Sequence, residues 1–142
     1  MVVRNCDGFL IHAESTLVLS QSPLLAEFYA IDWAADIALA KGWKKVFWKS
    51  DSAVAVKEIS SSSDPVAWDT RLEIISIRRK FADVDWKISW TARDSNQAAD
   101  ILAKHCLLNN LVFSCDSMFD RGLPSSFKNQ ILHDMQSHFY AV

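Results

Sequence analysis

Three acidic residues stand where the surrounding sequence calls for apolar or small side chains. Glu27 lies on the edge of the apolar stripe of a predicted helix, and Asp51 follows a short β-rich run. Asp100 stands among alanines in a third segment, where small neighbours allow another element to approach closely. Carboxylates that converge from separate elements repel one another unless a cation lies between them, and such hard oxygen ligands favour Mg²⁺ or Mn²⁺. Together the three acids predict a divalent-cation site that could activate water for phosphodiester cleavage.

Each acid also has an ordinary structural explanation. Glu27 could be a surface acid that the positive end of its helix stabilises. Asp51 could cap the helix that follows it, and Asp100 could be an exposed helical acid. Convergence of the three carboxylates is what separates the cation site from these explanations.

Hydrophobic periodicity predicts the elements that must position these acids. Their order is β-β-α-β-α-α-β-α, which is a mixed α/β domain without an internal repeat. Asp7-Gly8 predicts a hairpin turn between strands near residues 1–5 and 9–19. Helices are predicted over about 23–41, 52–60 and 66–82 and in "DSNQAADILAKHCLL", with strands in "KKVFWKSDS" and "DVDWKISWTA". The stripe of the helix over 66–82 includes Trp68, Leu72, Ile75 and Phe81.

Composition limits the class of protein and of partner. A chain of 142 residues is long enough for a domain with its own core. The net charge of −2 argues against strong non-specific attraction to phosphates. Twelve of the fifteen Lys and Arg residues nevertheless lie between Lys41 and Lys104. The runs "WKKVFWK" and "IRRKF" interleave cations with aromatic rings, as either a nucleic-acid surface or a solvated edge would.

The cysteines and the apolar runs bear on the compartment. The three cysteines have no metal-binding spacing and are expected to be reduced thiols of an intracellular protein, in either the cytoplasm or the nucleus. No apolar run is long enough for a membrane span, and the N-terminus does not have the pattern of a signal peptide.

Three segments carry a resemblance to a known family. "PLLAEFYAIDWAADIALAKG", "VFWKSDSAVAVKEISSSS" and "ARDSNQAADILAKH" resemble the type 1 ribonuclease H domains abundant in plants, of the reverse-transcriptase-associated type. The specific feature is the combination of AE on the first helix, SDS after a strand and NxxAD on the last helix. The resemblance covers residues 2 to about 108, so the chain is expected to comprise a ribonuclease H-like domain (1–108) and a C-terminal tail with a short helix (109–142).

The resemblance implies a fold, a site and an activity. The fold is a five-stranded mixed sheet flanked by helices, and the site is four acids that hold two Mg²⁺ (or Mn²⁺) ions and cleave the RNA strand of an RNA–DNA hybrid. Glu27, Asp51 and Asp100 match three of the acids, as catalytic and metal-binding residues. Arg93 and Asn96 match the nucleic-acid-binding Arg and Asn of the loop before the last helix. The alternatives are a non-catalytic module that binds nucleic acid or protein, and a truncated product without independent function.

Two departures from the family pattern change what is expected. The family's fourth acid lies on its first strand, but the spacing from Asp7 to Glu27 matches Asp7 to the turn between the second and third strands. The chain is therefore expected to begin at the second strand, with weak Mg²⁺ affinity and slow or absent cleavage. Trp90 stands where the family often has His, and it is expected to pack within its strand or to stack on a base.

A sheet without the family's first strand has three possible arrangements. The hairpin can pair directly with the strand at Lys45–Lys49, another segment such as Asn110–Ser114 can fill the gap, or the hairpin can stay poorly attached or pair with a partner. Direct pairing or a poorly attached hairpin is favoured over insertion. An unpaired edge is a template for strand pairing, which predicts self-association or poor solubility.

Overall fold

The computed structural model describes residues 1–20 and 22–139, and its order of elements confirms the predicted α/β fold. The strands are β1 (Val2–Arg4), β2 (Leu10–Ser15), β3 (Lys45–Ser50), β4 (Asp85–Trp90) and β5 (Phe113–Cys115). The helices are α1 (Pro23–Ala40), α2 (Ala53–Ser60), α3 (Arg71–Ala82), α4 (Gln97–Asn109) and α5 (Ser125–Phe139), with a short 3-10 helix at Arg93–Asn96 before α4. The described residues form two compact units: a terminal unit of residues 1–17 and 97–139, and a central unit of residues 18–20 and 22–96.

The terminal unit begins with the predicted hairpin. β1 and β2 pair antiparallel, and Gly8 in the turn between them has a φ of +83°, which a glycine adopts without a steric penalty. The Asn5 side-chain oxygen accepts hydrogen bonds from the backbone N–H groups of Asp7 and Phe9, at 3.0 and 2.9 Å. Asp7 therefore lies in the turn, as its spacing predicted.

A third strand from the tail extends the hairpin. The sheet order is β1-β2-β5, with Ala13 opposite Cys115. α4 and α5 complete a core with this sheet through Ala13, Ala98, Leu102, Cys106, Cys115, Leu123, Phe127 and Ile131. The tail therefore contributes to the core of this unit. The domain boundary near residue 108 stays a prediction. Residues 140–142 of the predicted tail lie outside the described residues.

The central unit is built on a two-stranded parallel sheet. β3 pairs with β4 from Lys45↔Asp85 to Ser50↔Trp90. Val46 and Trp48 face the apolar core with Trp86, while Phe47 lies on the opposite face, as the alternation predicted. α1, α2 and α3 supply most of the remaining core through Phe28, Ile31, Ala55, Ile59, Ile74 and Ile77.

The strands do not form one five-stranded sheet. Within the described residues, β3 pairs only with β4, so direct pairing of the hairpin with β3 was wrong. Phe113 and Ser114 of the segment Asn110–Ser114 lie in β5, which pairs with β2, so the insertion that was not favoured does not occur. Only three residues separate α4 from β5, and pairing with β2 lets Cys115 enter the core that α4 already shares.

Two predicted elements are shorter than expected. The strand over 9–19 ends at Ser15, and the helix over 66–82 begins at Arg71. Trp68 and Leu72 are exposed, whereas Ile74 and Ile77 are buried. The Arg71 side chain donates to the carbonyl oxygen of Pro65 at 3.0 Å, which holds the preceding loop in a non-helical conformation.

Hydropathy along the helices bears on membrane insertion. Of the helices in the part of the chain that the structure describes, none combines the length and the apolar character needed to span a bilayer.

Candidate functional site

Glu27 is positioned by the start of α1. Ser22 caps this helix by accepting a hydrogen bond from the backbone N–H of Leu25 at 3.3 Å, and Pro23 occupies its first turn. Phe28, the next residue, is fully buried and fixes the rotation of the helix. The Glu27 carboxyl is therefore half-buried at the edge of the apolar stripe.

Asp51 is positioned by the junction of β3 and α2. β3 ends at Ser50, and Ser52 is the residue that caps α2, with its hydroxyl accepting from the backbone N–H of Ala55 at 3.3 Å. The capping role expected as an alternative for Asp51 thus belongs to its neighbour. This leaves the Asp51 side chain for other contacts at the carboxyl end of a parallel strand, where α/β folds commonly place ligand sites.

The two acids line one concavity in the central unit. Its volume is about 340 Å³, and its lining is formed by Pro23, Leu24, Glu27, Asp51, Ser52 and Arg93. Two carboxylates and one guanidinium therefore face the same small space.

The carboxyl groups interact electrostatically across this space. Burial raises the pKa of the Glu27 carboxyl, and the charge of Asp51 raises this pKa further. The positive charge of Arg93 acts in the opposite direction. The folded protein therefore resists a second negative charge at this position, which is the condition that a bound cation relieves.

The loop after β4 holds Asp51 in place. The Asn96 amide donates to Asp51 Oδ1 at 3.3 Å, and Arg93 Nε lies 3.9 Å from Asp51 Oδ2. Trp90 Nε1 donates to the backbone carbonyl oxygen of Asp51 at 3.2 Å, although more than half of the Trp90 side chain is exposed. Asn96 and Arg93 of the loop thus contact the carboxylate of Asp51, and Trp90 at the end of β4 contacts its backbone.

The contact of Trp90 with Asp51 was missed in the sequence analysis, which expected only packing or stacking. The β3–β4 register places Trp90 opposite Ser50, beside the strand end that leads to Asp51. The sequence places Trp90 and Asp51 at the ends of two strands. Their contact can be predicted only when the pairing register of these strands is known.

Asp100 lies in the terminal unit, on the first turn of α4. Its carboxylate accepts from Lys104 Nζ at 2.6 Å, an i,i+4 ion pair along the helix. Of the small neighbours of Asp100, Ala98 is buried in the core of that unit, whereas Ala103 is exposed. The structure therefore brings together Glu27, Asp51, Arg93 and Asn96 in the central unit, and shows Asp100 in an ion pair of the terminal unit.

The chemistry of the donors fits a hard divalent cation only in part. Mg²⁺ in proteins is usually held by one or two carboxylates, with waters or substrate phosphates completing its shell. Glu27 and Asp51 supply such a pair of oxygen donors. Over residues 1–20 and 22–139, no group of three or more His, Cys, Asp or Glu side chains is arranged to hold a metal ion.

Comparison with known proteins identifies a family for this chain. A family model described as reverse transcriptase-like matches residues 1–106 of the chain. No curated protein and no solved structure matches it.

Proposed function

The chain belongs to the reverse transcriptase-like family, a family of ribonuclease H-like domains, and from this premise we propose that it binds an RNA–DNA hybrid and hydrolyses the RNA strand with Mg²⁺ or Mn²⁺. The observation that carries the proposal is the pair Glu27 and Asp51 in one concavity. Burial and the charge of Asp51 both raise the pKa of the Glu27 carboxyl, and a cation between the two carboxylates would favour its ionised form.

The proposed roles follow from the contacts of each side chain. Glu27 and Asp51 supply carboxylate oxygens for the cation, and Asp100 is the third acid that the family resemblance assigns to it. Asn96 holds Asp51 in one orientation through its amide hydrogen bond. We assign the exposed guanidinium of Arg93 to a phosphate oxygen of the substrate, because Arg forms paired hydrogen bonds with phosphate. When bound, Mg²⁺ or Mn²⁺ would activate water and stabilise the charge that develops during hydrolysis.

The cleavage assay uses a hybrid with the label on its RNA strand. We expect slow release of RNA fragments, faster with Mn²⁺ than with Mg²⁺, and none with a DNA duplex. The Asp51→Asn variant should lose at least about 100-fold in rate, because it removes a charge that the chemistry needs. Asp69→Asn, which changes an exposed acid of the same unit, is the matched control and should retain the wild-type rate.

The second candidate is a module that binds nucleic acid or protein without cleaving. It is favoured by the contacts that Arg93 and Asn96 already make with Asp51, since these partners compete with a cation for the same oxygens. Binding of the hybrid without cleavage in either metal would support this candidate over the enzyme. A chain that neither binds nor cleaves the hybrid would refute hybrid recognition, and cleavage that survives Asp51→Asn would refute the assigned site.

A further inference from the structure

The sheet of the central unit has one face that does not contribute to the core. Strand alternation places Lys45, Phe47 and Lys49 of β3 there, beside Asp85, Lys87 and Ser89 of β4, and all six residues are exposed. We call these six residues the outer face. The opposite face carries Val46, Trp48 and Trp86 into the core.

The outer face combines positive charge with an exposed aromatic ring. Phe47 is 66% exposed, although the other face of the strand shows that the fold buries rings of this size. Three lysines surround it, and Asp85, the acid of the outer face, has its Oδ2 4.0 Å from Lys45 Nζ. Lysine and arginine equal aspartate and glutamate in number over residues 18–96, so the excess of positive charge is local to this face.

The spacing of these groups follows from the strand. Lys45 and Lys49 lie two residues on either side of Phe47, so the two lysines are separated by about 13 Å along β3. Lys87 is the cross-strand partner of Phe47, and its Nζ lies 5.9 Å from the centre of the ring. The ring of Phe47 thus lies between two lysines along β3, with a third lysine beside it on β4.

We propose that the outer face binds a short stretch of single-stranded nucleic acid, with an unpaired base stacked on Phe47 and phosphates on Lys49 and Lys87. The faces of bases are covered by their neighbours in a duplex, whereas a single strand presents them for stacking on aromatic side chains. An acidic peptide would neutralise the lysines but would give the ring no base to stack on. The inference rests on the nucleic-acid recognition proposed above but requires neither the cation nor cleavage.

The test measures the binding of two fluorescent probes to the full-length chain by anisotropy. One probe is a single-stranded oligouridylate of about 12 nucleotides, and the other is an RNA–DNA hybrid of the same length. We expect Phe47→Ala to weaken oligouridylate binding about tenfold, because it removes one stacking contact, with the affinity for the hybrid unchanged. Lys49→Gln and Lys87→Gln should each lower the salt dependence of oligouridylate binding, by about 0.7 in the slope of log K against log salt.

Matched variants distinguish oligouridylate binding at the outer face from non-specific binding and from binding at the proposed active site. Trp68→Ala removes another exposed ring and Lys57→Gln another exposed lysine of the same unit, and both should bind oligouridylate as the wild type does. Asp51→Asn should also retain oligouridylate binding, even though it abolishes cleavage. Unchanged affinity in Phe47→Ala, or an equal loss in Trp68→Ala, would overturn the proposal, as would binding of polyglutamate as tight as that of oligouridylate. A wild type that cleaves the hybrid but does not bind oligouridylate would overturn it without affecting the proposed function.

Discussion

At Glu27 the requirements of the fold and of the proposed function oppose each other. A neutral side chain would suit the half-buried edge of α1, since burial and Asp51 both raise the pKa of the carboxyl there. A cation site requires the ionised form. Ionisation of Glu27 therefore destabilises the folded state, and a bound cation would offset this destabilisation.

This cost predicts a pH-dependent gain in stability for Glu27→Gln. Because the pKa of Glu27 is raised in the folded state, its ionisation destabilises the fold as the pH rises above the unfolded value of about 4.5. Without divalent cations, the variant should have the higher free energy of unfolding near pH 7, and the difference should shrink as the pH falls toward 4.5.

Urea denaturation at a series of pH values measures this difference. Glu73→Gln, an acid of the same unit outside the concavity, is the control and should show no comparable gain. A Glu27→Gln variant that is less stable than the wild type near pH 7 would contradict the electrostatic account.

Cation binding at Asp51 gives a second prediction at the residue scale. A ligand that binds only the folded state at ten times its dissociation constant adds about 1.4 kcal/mol of stability. Mg²⁺ in the millimolar range should therefore raise the melting temperature of the wild type by a few degrees, and should leave that of Asp51→Asn unchanged. Thermal scans with and without Mg²⁺ measure the shift, with Asp69→Asn as the variant that keeps it. A wild type whose melting temperature does not respond to Mg²⁺ or Mn²⁺ would show that this pair of acids does not hold a cation.

At the scale of elements, a buried histidine joins the tail strand to the hairpin. His12 of β2 is 1% exposed, and its ring nitrogens contact Asp116 at 2.7 Å and Glu14 at 2.9 Å. Asp116 directly follows β5, and Ser114 of β5 donates to Glu14 at 3.4 Å. The ring of His12 therefore links a carboxylate of β2 to the carboxylate that follows β5.

Substitution of His12 should therefore loosen the docking of the tail. His12→Phe fills similar space but removes both polar contacts, and we expect it to lower the free energy of unfolding by about 2–3 kcal/mol. Denaturant unfolding measures the loss, and hydrogen exchange should show it first in β5. His133→Ala, at an exposed position of α5, should change stability by no more than about 0.5 kcal/mol. If His12→Phe is as stable as the control, the paired contacts do not hold β5.

At the scale of the whole molecule, the strands leave edges that have no partner strand among the described residues. β1 pairs only with β2, and β3 pairs only with β4. Backbone groups on such edges can pair with another chain. β3 carries Lys45 and Lys49, and edge lysines oppose such pairing. β1 carries Val2 and Val3, and its third residue, Arg4, is held in an ion pair with Asp134 at 2.6 Å.

The edge of β1 without a partner strand among the described residues predicts self-association of the chain. We expect a monomer–dimer equilibrium that shifts toward dimer with concentration, measured by analytical ultracentrifugation. Val3→Lys should shift the equilibrium toward monomer, because it places a charge on the edge strand. The same substitution at an exposed position of α2, Val54→Lys, is the control. A wild type that stays monomeric throughout the concentration range would contradict the expected association.

The sequence by itself determined the elements and the identity of the candidate acids. Local signals were sufficient for the Asp7-Gly8 turn, for the cap and first turn of α1, and for the alternation that separates Phe47 from Trp48. These features depend on near neighbours in the chain, so they can be predicted without knowledge of the fold. The first residue of a helix was predicted less accurately. α3 was predicted from about residue 66 but begins at Arg71, whose side chain donates to the carbonyl oxygen of Pro65 in the preceding loop.

Only the tertiary structure decided how the strands pair and what each acid contacts. The pairing of β5 with β2 depends on the core shared by Cys115, Cys106 and Phe127, residues that lie far from β2 in the sequence. The contacts of Asn96 and Trp90 with Asp51 likewise depend on the register of β3 and β4. Such contacts join distant parts of the chain, and their free energy comes from burial and geometry that no local pattern specifies.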